Sequence, residues 1–251
     1  MSKLAVLRGG GWQPLLWLVL LLAAALGLAD LDGLFRLIEP DSRTVIYGRA
    51  AFIDLLASHL LLVALAACVS SLVGVGAAIM VTRRWGADFL PLVSQVASIG
   101  QTIPPVAVLA LAVPALGFGS GPTLFALILY GLLPILRNSL AGLRGIDPAV
   151  LEAARGMGMA PLQVLWRVEL PLALNVILAG IRTSVTINIA TAAIGSTIGA
   201  STLGDPVISG LVTGNTAFIL QGAILIGLLA VAVDSLFEQL QRRAPGAGQA
   251  K

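Results

Sequence analysis

The sequence predicts an all-α integral membrane protein with about six transmembrane helices, and three observations lead there. Hydrophobic residues make up 58% of the 251 residues and charged ones only 11%, far below the roughly 25% charged of an average soluble domain. The apolar residues are gathered into runs long enough for a helix to cross a bilayer. One stretch, Asp147 to Pro171, is both charged and patterned as a helix, so it must lie outside the hydrocarbon.

The first element follows Lys3 and Arg8 as an uncharged run from Trp12 to Ala29. About eighteen residues of helix reach roughly 27 Å, close to the hydrocarbon thickness. The run ends in Leu28-Ala29-Asp30 without a small-x-small cleavage site, so it is expected to stay as a first span. Residues 30 to 51 mix acids and arginines around Pro40 and read as a solvated or interfacial segment. Residues 1–54 therefore form a helix and an external segment ahead of a core at 55–240.

The second span runs from about Leu55 to Val81 and stops at Arg83-Arg84-Trp85, a basic boundary with an interfacial aromatic. His59, the sole histidine, reads as a structural residue near the outer interface, and Cys68, the sole cysteine, as a small buried hydrophobe. A third span covers 89 to 115 and holds Gln101, Thr102, Pro104 and Pro105 in its middle. Two adjacent prolines remove two backbone donors, so the helix must kink or break there. Broken backbone at membrane depth faces protein or a cavity rather than lipid.

A glycine-rich turn at 117–122 leads into a fourth span, from Thr123 to about Leu136, which carries Pro134 and is followed by Arg137 and Arg144. After Pro171 come a fifth span to about Ile198, a loop from Gly199 to Gly214, a sixth span from Thr216 to Phe237, and a polar tail at 241–251. In the fifth span Ser184, Asn188, Thr191 and Gly195 recur at spacings of four, three and four, so they share one helix face. A polar stripe in hydrocarbon either packs against another helix or lines a wet path, and both readings stay open. With Gln101, Thr102, Pro104 and Pro105 it forms the candidate translocation path, since midplane sites are built where helices are discontinuous.

Basic residues give the orientation. Lys3, Arg8, Arg83, Arg84, Arg137, Arg144, Arg155, Arg167, Arg242, Arg243 and Lys251 fall on one side of a six-span topology, and Arg36, Arg43 and Arg49 on the other. The positive-inside rule places both termini and the Asp147 stretch in the cytoplasm. The net charge of +3 is small and no basic cluster exceeds two residues, which excludes nucleic acid as a partner.

Several chemistries are excluded as well. Lys3 and Lys251 are the only lysines and neither sits in a phosphate-binding loop. One histidine without a nucleophile motif supports no hydrolytic triad, and no ligand set for a metal is present. No catalytic residue, metal or cofactor is expected on this chain. Asp234 and Glu238 read as interfacial acids at the inner end of the last span, so energy for any pumping must come from a separate chain.

The charged stretch itself has an ordered grammar. Asp147 is an N-cap ahead of Pro148 at the first helical position. A helix should then run to Met157 and stop at Gly158 in the left-handed region. A second short helix is expected after Pro161, with Leu162, Leu165, Trp166 and Val168 on its apolar side, until Leu170-Pro171 turns the chain into the next span. Glu152-Ala153-Ala154, three residues, Gly158, nine residues and Val168-x-Leu170-Pro171 together resemble the EAA signature of permease subunits of bacterial ABC importers, with valine in place of the usual isoleucine.

That resemblance implies a type I ABC importer permease (MetI-like) fold in the bacterial inner membrane. It makes 147–171 a coupling loop in which Glu152, Ala153, Ala154, Gly158, Leu170 and Pro171 shape the contact with a separate ATP-binding subunit, which holds the ATP and magnesium. It further implies a second, different permease chain and a periplasmic substrate-binding protein. The runs GQTIPPVAVLALAVPALGFG, RVELPLALNVILAGIRTS and NIATAAIGSTIGASTLG are similar to permeases of osmoprotectant importers for glycine betaine, choline and related solutes, over roughly residues 55 to 240. Ala190 and Ala193 replace the glycine and threonine usual in that last run. A quaternary ammonium is usually held by an aromatic cage. Aromatics are only 5% of the chain and cluster near interfaces, so solute selection is expected to fall to the binding protein. The alternatives are a permease for another small solute such as an amino acid, or an ATPase-independent secondary transporter or channel.

Overall fold

A computed structural model describes residues 12–243, so Lys3, Arg8 and Lys251 of the orientation argument lie outside the described residues. The described residues form eleven α-helices and no strand. They are α1 (Gln13–Gly27), α2 (Asp32–Arg36), α3 (Phe52–Thr82), α4 (Leu90–Thr102), α5 (Pro105–Leu116), α6 (Ser120–Arg144), α7 (Pro148–Gly156), α8 (Pro161–Val164), α9 (Leu170–Ala192), α10 (Gly204–Thr213) and α11 (Thr216–Arg243).

Among the described residues, five helical stretches are long and apolar enough to cross a membrane: Gln13–Asp30, Phe52–Thr82, Ser120–Arg144, Pro161–Ile198 and Thr216–Arg243. The expected third span is instead two shorter apolar helices, α4 and α5. Ile103 lies between them in an extended conformation, φ −81° and ψ 130°. A residue that precedes proline is pushed out of the helical region. Here two such positions are consecutive, so the helix breaks where a single proline, such as Pro134 inside α6, leaves it continuous.

The chain divides into two compact units. Among the described residues, the first comprises 12–63, Leu109–Thr123 and Ile189–Gln239, and the second comprises Ala64–Val108, Leu124–Asn188 and 240–243.

In the first unit, the segment expected to be solvated is packed at its end: Phe35, Val45 and Tyr47 are buried. Gln221 of α11, fully buried, donates to the Val45 carbonyl at 2.6 Å and accepts from the Tyr47 N–H at 3.0 Å. Its carboxamide thus satisfies one acceptor and one donor of that backbone. Asn215 donates to the Thr44 carbonyl and accepts from the Phe218 N–H, capping α11, while Glu39 accepts from the Thr216 N–H. His59, expected at an interface, is fully buried: its Nδ1 accepts from the Leu203 N–H at 3.3 Å and its Nε2 donates to the Ile189 carbonyl at 3.1 Å.

The loop expected at 199–214 contains α10. Glycine composition misled that reading, because Gly204 is there for contact rather than for a turn. A Cβ on it would lie 2.0 Å from the Ala193 carbonyl oxygen. The Gly204 N–H is taken by Thr202 Oγ1, which starts the helix.

The second unit has an apolar core of Ala78, Ala97, Leu133, Leu136, Leu143, Ala173 and Ile177. α6 and α9 cross through small residues: a Cβ on Gly142 would lie 3.2 Å from that of Ala173, and one on Gly180 would lie 2.7 Å from that of Asn138. Helices in lipid gain no hydrophobic drive toward each other, so such close approach supplies their packing energy. Cys68, expected to be buried, is exposed on α3.

Candidate transmission and translocation site

The charged stretch folds as its first half predicts. The Asp147 carboxylate accepts from the Ala149 N–H at 2.9 Å, Pro148 opens α7, and Gly158 closes it at φ +82°, a region that side chains strain to enter. Glu152 and Ala153 are exposed, whereas Ala154 turns into the fold at 2% exposure. Met157 stands out at the end of α7, 76% exposed. Val150 and Arg155 are exposed on α7 as well.

The second half departs from the expectation of a helix-turn-helix. After α8, whose Ala160 N–H is held by the Gln163 side chain at 2.9 Å, Leu165–Glu169 form a π-helical turn that runs directly into α9. Leu170 and Pro171 lie inside this continuous helix and turn nothing. Pro171 has no N–H for the Arg167 carbonyl and its ring crowds that oxygen. A wider π turn immediately before it relieves the crowding, and such turns recur at functional sites. Val164 and Leu165 are buried, while Leu162 and Trp166 are exposed.

The π turn also aims Glu169 inward. Its carboxylate is 7% exposed and takes both guanidinium nitrogens of Arg83, at the end of α3, in a bidentate pair whose Nη1–Oε1 distance is 3.1 Å. Beside the pair lies a cavity of about 350 Å³ bounded by Arg84, Arg155, Met159 and Pro161. The start of α9 is thereby joined to the end of α3 through a charge pair that cannot open without stranding a buried carboxylate.

The proline positions repair one another. Pro134 cannot donate to the Tyr130 carbonyl one turn earlier; Gln101 does so instead, its Nε2 at 2.9 Å. The break at Ile103 frees a carbonyl in turn, and the Tyr130 hydroxyl donates to it. Gln101 and Tyr130 thus join α4 and α6 across two discontinuities. Thr102 is exposed and its hydroxyl donates to the Ile99 carbonyl at 2.9 Å. Pro104 is exposed, and its carbonyl accepts from Ala107 and Val108 to open α5.

Ser184 and Asn188 are fully buried. They converge with Ser70 on Gly131, where a Cβ would lie 2.6 Å from Ser184 Oγ, 2.9 Å from Ser70 Oγ and 3.2 Å from Asn188 Nδ2. Ser70 donates to the Ile128 carbonyl at 3.0 Å. Ser184 Oγ and both polar atoms of the Asn188 carboxamide have no hydrogen-bond partner. Orphaned groups of this kind cost about 1–3 kcal/mol each. Thr191 belongs to the first unit and is half-buried.

Sequence reasoning missed Tyr130, Gly131, Ser70 and the Arg83–Glu169 pair. Tyr130 was open to discovery, since it stands four residues before Pro134 and its carbonyl must find another donor. Nothing local marks Gly131 or the partner of Glu169, which depend on the helix crossing.

A profile of the binding-protein-dependent transport system inner membrane component family matches residues 70–244. The chain belongs to this family. As such an inner membrane component it is a multi-pass transport subunit of a system that works with a binding protein, not an enzyme. Among its relatives, the choline transport system permease protein OpuBD of Bacillus subtilis is 43% identical, with 73% of this chain and 81% of the relative covered. The osmoprotectant import permease protein OsmY of Salmonella typhimurium is 40% identical over 74% and 78% of the two chains. The carnitine transport permease protein OpuCD of Listeria monocytogenes is 46% identical over 60% and 68%. Among solved structures, the inward-facing MetNI methionine ABC transporter superposes with a TM-score of 0.68, covering 76% of this chain and 94% of that one. At 21% identity that likeness concerns the fold alone, which is the MetI-like permease fold.

Proposed function

We propose that this inner membrane component is the permease subunit of an ATP-driven, binding-protein-dependent importer of osmoprotectants: glycine betaine, choline or related quaternary amines. The observation that carries the coupling role is α7. It is a capped helix that presents Glu152 and Ala153 to another chain and is tied through the π turn and Glu169 to a membrane helix. A separate ATP-binding subunit receives α7, and its closure on ATP moves the α7–α8 turn. The second permease chain is a different polypeptide, and a periplasmic binding protein delivers the solute. Both termini and the α7 loop face the cytoplasm, a reading supported by Arg83, Arg84, Arg144 and Arg155 near those turns. The substrate class is supported by the choline, carnitine and osmoprotectant permeases to which the chain is similar. Ser184 and Asn188, with Gln101 and Thr102, belong to the translocation path, where the orphaned groups gain partners in another state of the cycle.

Reconstitution of the chain with its partner permease, ATPase and binding protein tests this. Uptake of glycine betaine or choline should require ATP, and Ala153→Trp should leave ATPase activity while abolishing uptake. ATP-independent flux, or uptake unaffected by Ala153→Trp, contradicts the coupling role. Uptake of amino acids with no uptake of either amine contradicts the substrate class.

A further inference from the structure

The first unit contains a cavity of about 260 Å³ lined by Tyr47, Arg49, Ser196, Asp205, Ser209 and Thr213. Tyr47, Ser196 and the α10 residues are held there by the interactions that pack the unit, and Arg49 stands exposed beside them. Gln221 pins the backbone of Tyr47, two residues before Arg49. Asp205, Ser209 and Thr213 recur every four residues along one face of α10. α10 is seated closely on α11, where a Cβ on Gly222 would lie 2.5 Å from a Val207 methyl. Ser196 is oriented by its hydrogen bond with Thr202, at 2.8 Å.

The Tyr47 ring is fixed by Phe218, edge-on at 5.8 Å, and by Phe52 at 6.4 Å. Its hydroxyl therefore points at Ser209, within electrostatic range of Asp205 and Arg49. Burial, and then the Asp205 charge, raise its pKa above the ordinary phenol value, while Arg49 and Ser209 pull it down. The group remains a neutral hydroxyl.

Among the described residues, no ion pair joins Arg49 to Asp205, although both line the same small cavity. Opposite charges that line one cavity without pairing match a solute that carries both signs. A guanidinium takes a carboxylate by charge-assisted hydrogen bonds. A quaternary ammonium has no N–H and is held by a carboxylate's charge and by the oxygens and rings around it. Asp205 also lies in the first turn of α10, where a carboxylate stabilises any helix. That role explains Asp205 alone and gives Arg49 no ligand.

Resting on the proposed import of quaternary amines, we infer that this cavity is a low-affinity site for a zwitterionic quaternary amine, with Arg49 on its carboxylate and Asp205 on its ammonium. The site separates zwitterions from cations: glycine betaine engages both charges, choline only Asp205. The sparse aromatic content is consistent with weak holding, since a transit site must release what it receives.

Saturation-transfer NMR on the purified transporter complex in nanodiscs, without binding protein, tests the assignment with glycine betaine and choline as probes. The N-methyl signals of both should respond in the wild type. Arg49→Gln should weaken the glycine betaine response about fivefold and spare choline, and Arg49→Lys should restore it. Asp205→Asn should weaken both by about fivefold or more. Unchanged thermal melting of the variants separates this from unfolding. No wild-type response, an Arg49→Gln effect equal on both probes, or an Asp205→Asn complex with wild-type responses overturns the site. If the uptake assay still moves quaternary amines while any of these occurs, only the site falls. If uptake of both amines is absent, the substrate class falls and the site with it.

Discussion

The two units treat buried polar groups in opposite ways. In the first, His59, Gln221 and Asn215 spend their polar atoms on backbone groups of the same unit, and they bind Ile189, Leu203, Val45, Tyr47, Thr44 and Phe218 into one frame. In the second, Ser184 and Asn188 are as deeply buried yet bond to nothing. The same unit carries the helix break at Ile103, the proline inside α6 and the π turn before α9. Satisfied polar groups rigidify a core, whereas an unsatisfied one is a cost kept for some purpose. We take the first unit as frame and the second as the part that changes during transport.

Two glycine positions, Gly204 and Gly131, differ sharply in what surrounds them. A Cβ at Gly204 in the first unit would overlap a backbone carbonyl at 2.0 Å, so Gly204→Ala should prevent the complex from accumulating in the membrane. At Gly131 in the second unit the nearest atoms are serine hydroxyls, at 2.6 and 2.9 Å, which can swing away. Gly131→Ala should cost about 1–3 kcal/mol of stability, and Ser184→Ala in the same chain should recover most of it. Melting of the purified complex measures both. Equal tolerance at the two positions breaks the distinction.

Arg83 and Glu169 are satisfied inside the second unit, as Ser70 is, but here both groups are charged. Removing one partner leaves the other stranded, so Glu169→Ala should lower stability by about 3–5 kcal/mol, while Arg83→Met with Glu169→Leu should recover most of the loss. The double variant should still bind the ATPase yet respond poorly to solute-loaded binding protein. Normal stimulated transport in it removes the pair from the transmission route.

Much of this was legible in the sequence where the cause is local. The Asp147 cap, Pro148, and Gly158 at positive φ follow from three residue types at fixed offsets. The disruption at Pro104-Pro105 follows from missing donors. What was hidden depends on contact. α10 could not be seen because Gly204 and Gly210 read as turn residues when they are points of close approach. The packing of residues 44–47 depends on Gln221 and Asn215, more than 170 positions away. The polar stripe in α9 was visible as a face, but whether that face met solvent or helix could not be read from spacing. Its Ser184 and Asn188 converge with Ser70 on Gly131, a meeting that depends on how α9 crosses α6 and α3.

One measurement puts the comparison directly at risk: the thermal stability and ATP-driven uptake of Gln221→Leu beside those of Asn188→Leu. Gln221→Leu strands the Val45 carbonyl and the Tyr47 N–H and should cost about 1–3 kcal/mol for each. Asn188→Leu removes unpartnered polar atoms for a side chain of similar shape, so stability should hold or rise while uptake is lost. An Asn188→Leu complex that melts as early as Gln221→Leu, or that transports at the wild-type rate, contradicts the assignment of frame and moving part.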